Sequence, residues 1–236
     1  MLRISTRAWL AAAALLASAP IHAQAPAPAA QNGATATTAS TTAASRDSAQ
    51  VELRQRFAAD VLTAAQAGGA TAAGLVVLAA DPATGRTELK LARATVSEAA
   101  LAPVVERVRA ELKAFAAAGP LLWHVRLDPA PMPTGAAARP VIDNPREVRA
   151  LVNRFVAQNF REIFQGRRGL RVDLQLVVSR EGEVAYARVL RSSGNPAVDQ
   201  EALRIAPTMR FQPARVGTQP VDRQINFPLY FVVGEA

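Results

Sequence analysis

The sequence predicts an α+β protein made of two small parts joined by a proline-rich segment. In some segments apolar residues recur three and four positions apart, which is typical of helices; in others they occupy every second position, which is typical of strands. The two kinds of segment alternate before and after Pro129–Pro140, a stretch rich in Pro and Ala. A chain of 236 residues is long enough for one or two modest domains.

The first 23 residues are expected to be a cleaved secretory signal. Arg3 and Arg7 precede an Ala/Leu run that stops at Pro20, and small residues follow it. A helix that spans a bilayer needs about 20 apolar residues, so the short run predicts export and no integral membrane anchor. Cleavage after Ala23 would place the mature N-terminus at Gln24, in the periplasm.

The first part is expected to begin after a linker. Residues 24–50 are rich in Ala, Thr, Ser and Pro and carry few large apolar side chains, which predicts a disordered segment. Residues 51–128 then predict a helix, a β-hairpin, a second helix and a strand. Ser97 is a suitable N-cap for the second helix. Its apolar face is expected to consist of Leu101, Val104, Val105, Val108, Leu112 and Phe115.

The second part, residues 143–236, is expected to follow a Pro/Ala-rich linker at 129–142. Asn144 and Pro145 predict a helix start, with Asn144 as the N-cap and Glu147 reaching back to it. From Leu170 to Val178 apolar residues occupy alternate positions, which predicts a half-buried strand with Leu174 inside and Gln175 outside. Phe211 is also expected to be buried.

The rest of the second part predicts strand, helix and strand. Gly182 allows a tight turn before a return strand from Val184 to Leu190. Asn195 and Pro196 then begin a helix, and Ile225 to Phe231 form the last strand. Both parts therefore share one order of elements, which either a diverged duplication or two unrelated small domains would explain. Two unrelated domains are favoured, because the first part lacks the Ser-Ser-Gly and Arg-Phe-x-Pro-Ala segments of the second.

A series of short motifs in this second part resembles the TonB C-terminal domain family. In chain order they are the turn Gly182 with Val184, Ser192-Ser193-Gly194, Asp199 with Ala202-Leu203, Arg210-Phe211-Gln212-Pro213-Ala214, Gly217 to Val221, and Pro228 with Phe231. The resemblance covers about the last third of the chain. It implies a periplasmic domain, similar to energy transducers, that engages envelope proteins such as outer-membrane transporters and performs no catalysis.

Residue usage gives no support to an enzyme. The chain has no Cys, and His124 is the one His outside the expected signal, so the common zinc and triad sites lack their side chains. Ser192 and Ser193 are expected to bind backbone groups before a helix. No nucleotide-binding glycine motif occurs. We therefore expect no catalytic residues, no metal and no cofactor.

The charge of the chain favours acidic partners. Lys and Arg number 27 against 19 Asp and Glu, a formal net charge of +8. A candidate basic contact face is formed by Arg167, Arg168, Arg171, Arg180, Arg188 and Arg191. Such a face suits the cell wall or an acidic envelope complex, so a structural periplasmic protein is the alternative function. Export makes nucleic acid the least expected partner.

The last strand provides the candidate partner site. Pro228 lies within it, and because proline has no N–H to donate, a strand that contains it belongs at a sheet edge or a bulge. An edge leaves backbone groups open to an extended peptide. The predicted partner-binding residues are Arg223, Gln224, Asn226, Pro228 and Tyr230. A homodimer is an alternative occupant, although Pro228 would prevent pairing along the whole edge.

Overall fold

A computed structural model describes residues 35–67, 71–115, 119–128 and 135–233. The predicted signal, its cleavage site and the first part of the predicted linker, up to residue 34, lie outside the described residues. The chain divides into two compact units, Met1–Thr42 and Ala43–Ala236. The elements described below, apart from the first turns of the first helix, lie in the second unit.

The first half consists of two helices and three strands. Their bounds are α1 Thr35–Ala67, β1 Leu75–Asp81, β2 Arg86–Ala92, α2 Glu98–Leu112 with a 3₁₀ turn at Lys113–Phe115, and β3 Leu121–Arg126. Helix α1 begins at Thr35 and not near Val51, so the described part of the predicted disordered linker is helical. Ala, the best helix former, recurs through this stretch, and no Pro or Gly interrupts it.

The core of the first half lies between its helices and one face of its sheet. The strand order is β2-β1-β3, and both pairs are antiparallel. Leu53, Phe57 and Val61 of α1 are buried against this sheet. The predicted inner face of α2 is confirmed: Leu101, Val104, Val105, Val108 and Leu112 are all buried, and Phe115 packs at its end.

The second half repeats this arrangement with added short strands. Its bounds are β4 Val141–Ile142, α3 Pro145–Gln158, a π-helical turn Phe160–Phe164, β5 Gly169–Val178, β6 Val184–Arg191, α4 Pro196–Ile205, a 3₁₀ turn Ala206–Thr208, β7 Phe211–Gln212, β8 Ala214–Val216, β9 Gln219–Val221 and β10 Arg223–Val232. The main sheet has the order β10-β5-β6, all antiparallel. The hairpin and the central position of its first strand match the first half.

Helices α3 and α4 cover one face of the second sheet. Leu174 and Phe231 have no exposed surface, and Phe211 is buried at the edge of the same core, as predicted. Val156 of α3 belongs to this core as well. The alternation of β5 therefore directs one set of apolar residues, Val172, Leu174, Leu176 and Val178, onto these helices.

The opposite face of the second sheet packs on the sheet of the first half. Leu75, Val77 and Leu122 meet Val177 and Tyr186 in a separate buried cluster. The layers of the second unit are therefore helices, sheet, sheet and helices. In each sheet the first strand of a hairpin, β1 or β5, lies in the centre. The second strand of the hairpin, β2 or β6, forms one edge, and the last strand, β3 or β10, forms the other.

Two local predictions need correction. Helix α3 starts at Asn144 and Pro145 as predicted, and Glu147 reaches back to accept from the Asn144 side-chain amide at 2.8 Å. The Asn144 side chain, however, makes no bond to the first amides of α3 and instead accepts from the Arg210 N–H at 2.8 Å. The predicted linker at 129–142 ends in structure, since Val141 and Ile142 pair with β7. Both follow from the return of the chain near Arg210, which supplies a second partner for this segment.

Gly182 is required by the backbone at the β5–β6 turn. Its φ is +82°, and a Cβ there would lie 2.0 Å from the carbonyl oxygen of Phe211. The Phe211 N–H donates to the Gly182 carbonyl at 2.8 Å. The turn glycine therefore lets the chain after α4 approach the hairpin, which places the segment that leads into β10.

Candidate protein-binding edge

Strand β10 is an edge of the second sheet. All ten of its residues, Arg223–Val232, pair with β5 in one unbroken antiparallel register. Its other side pairs with no strand among the described residues. The predicted edge position of the strand that contains Pro228 is confirmed.

The register shows which backbone groups face the open side. The Val233 N–H donates to the Arg168 carbonyl, which makes these two residues a hydrogen-bonded pair. Such pairs alternate along an antiparallel ladder, so the odd-numbered residues of β10 bond to β5. The peptide groups that point away from β5 belong to Gln224, Asn226, Pro228, Tyr230 and Val232.

Pro228 is one of the outward-pointing residues. Its missing N–H therefore removes a donor from the open edge and none from the ladder with β5. This explains why the register continues through the proline without a bulge. The open edge retains N–H groups on both sides of a single gap.

The side chains of β10 alternate between core and surface. Phe231 and Leu229 are buried among α3 and β5, whereas Tyr230 and Val232 remain 45% and 49% exposed. Asn226 and Arg223 are exposed as well, and Gln224 is half-buried. The predicted partner-binding residues thus lie along one accessible strand, with two large apolar side chains at its far end.

The far end of β10 lies beside charged residues of β5 and β6. The Arg171 guanidinium is 5.5 Å from the centre of the Tyr230 ring and 2.6 Å from a carboxylate oxygen of Asp173. Arg191 lies 3.7 Å from the same carboxylate. The hydrogen bond that Arg171 donates to Asp173 raises the pKa of Arg171 above its ordinary value. The side chains of Arg171 and Arg191 are 52% and 80% exposed, whereas that of Asp173 between them is 12% exposed.

The predicted basic face is divided by the structure. Arg167 and Arg168 are exposed before β5, and within the described residues their side chains have no hydrogen-bond or ion-pair partner. Arg171 and Arg191 share Asp173. Four of the six predicted arginines therefore remain at one end of the second sheet.

The other two arginines of that face are used inside the molecule. Arg188 donates to the side-chain oxygen of Gln175 at 2.7 Å, and to the carbonyls of Leu121 and Pro120 at 3.0 Å each. Arg180 pairs with Asp128 and Glu181. They join the two halves because the first half covers the sheet face on which a solvated surface was expected.

An ionic cluster holds the halves together near the start of β10. Arg126 of β3 donates to both carboxylate oxygens of Asp222, and it also contacts Glu181. Burial alone would raise the pKa of Glu181, but hydrogen bonds from Ser179 and Arg126 and the charges nearby lower it to about 2. The carboxylates at this end are thus paired ions.

His124 lies in the seam between the two sheets. It follows the alternation of β3, with Leu122 and Arg126 on the same face, and its Nδ1 is buried and has no hydrogen-bond partner in the described part of the chain. Burial lowers the pKa of His124, Asp222 opposes this effect, and Arg54, Arg126 and Arg223 add to it. The side chain is therefore a neutral histidine near pH 7.

The remaining candidate residues have structural roles. Ser192 and Ser193 both bond to the carboxylate of Asp199, and Asn195 accepts from the N–H groups of Ala197 and Val198 at the start of α4. In the part of the chain that the structure describes, no group of His, Asp and Glu could hold a metal ion. Nor does any described helix have the length and apolar character to cross a membrane.

A comparison with protein families bears directly on this edge. The family described as Gram-negative bacterial TonB protein C-terminal matches residues 165–233, which include β5, β6, α4 and β10. This segment is similar to the TonB C-terminal domain. The predicted resemblance and the α+β class are confirmed for the last third of the chain. No curated protein matches the sequence.

The family match supplies a coarse setting. TonB C-terminal domains are envelope domains that interact with envelope or outer-membrane proteins. The matched segment contains the whole open edge of β10, whereas the first half of the chain lies outside the match. The family match therefore bears on the segment that contains the edge of β10 and not on the first half. The role of the first half is inferred from its contacts instead.

Sequence reasoning missed the residues that join the two halves. Arg126, Asp128 and Asp222 were not singled out, and Gln175 was expected to face solvent, although each has a partner in the other half or beside it. The available signal on the outer face of β5 was Val177, an apolar residue that follows the polar Arg171, Asp173 and Gln175 at alternate positions. One apolar residue is too little to predict a second cover for the sheet.

Proposed function

We propose that this protein is a periplasmic interaction module that engages envelope or outer-membrane transport proteins by accepting an extended segment along β10. The observation that carries the proposal is the open edge from Gln224 to Val232, whose outward peptide groups have no partner among the described residues. An edge of this kind binds through main-chain hydrogen bonds, and the neighbouring side chains set the specificity.

Three features support the edge as the site. It lies within the segment that is similar to the TonB C-terminal family. The strand is fixed by ten pairs to β5 and by the buried Phe231, so the edge is pre-formed and loses little freedom on binding. Pro228 interrupts the row of donors, which disfavours continuous pairing with a second β10 and hence a homodimer through this edge.

The alternative, a structural protein that binds cell wall through its arginines, retains one specific support. Arg167 and Arg168 are exposed and unpaired among the described residues. Arg180 and Arg188, however, are bound within the molecule, so the face is smaller than the sequence predicted. Sedimentation with isolated cell wall that disappears in high salt would favour this alternative.

Capture from envelope extract with two variants of one residue tests the proposal. Asn226→Pro removes an outward N–H from the edge, whereas Asn226→Ala keeps the N–H and removes only the side chain. Proteins that bind through strand addition are expected to be captured by the exported protein and by Asn226→Ala, and to be lost with Asn226→Pro. Equal capture by all three forms would contradict binding along this edge.

A further inference from the structure

The edge of β10 has different charge at its two ends. Arg171 lies opposite Tyr230, the Arg168 carbonyl accepts from the Val233 N–H, and Arg167 precedes Arg168. Arg191 lies one strand further from the edge, on β6, where it shares Asp173 with Arg171. These four arginines and one aspartate carry a net charge of +3. The end at Arg223 instead adjoins the mixed cluster of Arg126, Asp222 and Glu181, where cations and carboxylates are paired.

Arg171 brings part of this charge towards the open edge. It lies opposite Tyr230 in the register, and its guanidinium is drawn over the Tyr230 ring. Asp173 occupies one side of the guanidinium, and 52% of the Arg171 side chain remains exposed. A strand added to β10 would place its side chains next to Tyr230, about 5 Å away across the sheet.

We infer that β10 selects an extended protein segment with acidic side chains at the end that pairs with Tyr230 and Val232, and with uncharged side chains towards Arg223. The inference rests on the proposed strand addition and adds the chemistry and direction of the partner. Acidic side chains gain from Arg167 and Arg168, which have no ion-pair partner among the described residues, and from the exposed Arg171. Basic side chains at this end meet repulsion, and a segment in the reversed orientation loses the contact between its acidic side chains and these arginines.

Synthetic peptides test this inference with the intact exported protein. Each probe is a ten-residue strand of alternating Thr and Val, with two neighbouring outward positions at one terminus replaced by Glu, by Gln or by Lys. Both terminal placements are made, because the added strand can run either way along β10. Binding is measured by fluorescence anisotropy at low and high salt.

The Glu peptide of one placement is expected to bind about three- to tenfold more tightly than its Gln counterpart, the gain from one or two exposed ion pairs. High salt should remove the gain, and the Lys peptide should bind most weakly. Arg171→Gln should reduce the ratio between the affinities of the Glu and Gln peptides. The control Arg107→Gln, an equal loss of charge on α2 beyond the first sheet, should keep it.

The outcomes separate this inference from the proposed function. If Glu and Gln peptides bind equally in both placements, or if the gain survives Arg171→Gln, the charge selection is wrong while strand addition stands. If no peptide binds, both ideas are contradicted. If vesicles of anionic lipid bind through Arg171 while peptides do not, the basic end contacts a membrane surface and the inference is overturned.

Discussion

Leu174 and Gln175 are neighbours on β5 that face two different layers. Leu174 is fully buried beneath α3 and α4. Gln175 points towards the first half, where it is 9% exposed and accepts hydrogen bonds from Arg188. The expectation of an outward Gln175 was correct about the alternation and wrong about solvent, because a second sheet covers that face.

Both residues are therefore expected to matter for stability. Leu174→Ala should lower the free energy of unfolding by ~2–5 kcal/mol, the range for a large-to-small change in a core. Gln175→Ala should lower it by about 1–3 kcal/mol, because the half-buried Arg188 guanidinium loses an acceptor. Urea denaturation measures both, with the exposed Asn226→Ala, within about 0.5 kcal/mol of the parent protein, as the control.

A loss for Gln175→Ala no larger than that for Asn226→Ala would contradict the covered face. The double change of Gln175→Ala with Arg188→Ala distinguishes the two causes of a loss. If the hydrogen bond is the cause, the double variant loses less than the sum of the single variants.

The pH dependence of stability should reveal His124. Its folded pKa lies below the ordinary value of 6.5, mainly because of burial, so the unfolded chain binds more protons in this range. The contribution of His124 to the free energy of unfolding should therefore be complete above pH 6.5 and should be lost as the pH falls below that value. Denaturation at several values from pH 7.5 to pH 5 measures the slope.

Replacement of the histidine provides the comparison. His124→Gln has no titrating group, so its stability should change less across the same pH range. Glu181 contributes separately, since its folded pKa of about 2 lies below the ordinary 4.5 and its contribution is lost only in stronger acid. Identical slopes for the parent protein and His124→Gln above pH 5 would show that His124 is not a buried neutral group.

At the scale of the element, β10 combines a rigid inner side with an open outer side. Proline substitutions on the two sides test this difference through the free energy of unfolding. Asn226→Pro removes a donor that faces the open edge, so the free energy of unfolding should change by less than about 1 kcal/mol. Phe227→Pro removes a donor to β5 and should lower the free energy of unfolding by about 3 kcal/mol more than Phe227→Ala does. The alanine variant serves as the control because it also loses the packing of Phe227 on Phe211.

Equal costs for the two prolines, after subtraction of the Phe227→Ala loss, would contradict the assigned direction of the peptide groups. Circular dichroism of each variant confirms that it retains its strands before the comparison is made.

The elements themselves followed from periodicity to different degrees. β5, β10 and α2 have strong alternation or a strong helical stripe, and local pattern was enough to place them. Helix α1 starts earlier than expected because Ala-rich sequence has helix propensity without an apolar stripe. Asn144 was assigned to a cap, but its oxygen binds the Arg210 N–H, a partner from a distant part of the chain.

The candidate site was predictable for a similar reason. A proline within a strand indicates an edge strand or a bulge, so the open edge at β10 could be inferred from Pro228 in the sequence. The internal contacts of Arg180 and Arg188 could not be inferred, because their partners Asp128 and Leu121 lie in the other half. Pairing between halves depends on how two sheets stack, which a single-residue pattern does not encode.

At the scale of the whole molecule, the first half serves as a cover for the second sheet. The Val141–Ala236 fragment would expose Val177 and Tyr186 and would leave Arg188 without the carbonyl of Leu121. We expect this fragment to unfold at lower urea than the intact protein and to self-associate. Sedimentation velocity and urea denaturation measure the two properties.

The same fragment with Val177→Ser is the matched control, and it should self-associate less because the uncovered face is less apolar. A monomeric fragment as stable as the intact protein would show that the halves are independent domains. Experiments on partner binding are therefore best done with both halves present.

Residue-resolved hydrogen exchange of the intact protein tests the binding edge most directly. In the free protein, the amides of Gln224, Asn226, Tyr230 and Val232 should exchange quickly, while those of Ile225, Phe227 and Leu229 should be protected by β5. Addition of a captured partner should slow the four fast amides and change the others little. Protection gained elsewhere, with those four amides still fast, would contradict strand addition at β10.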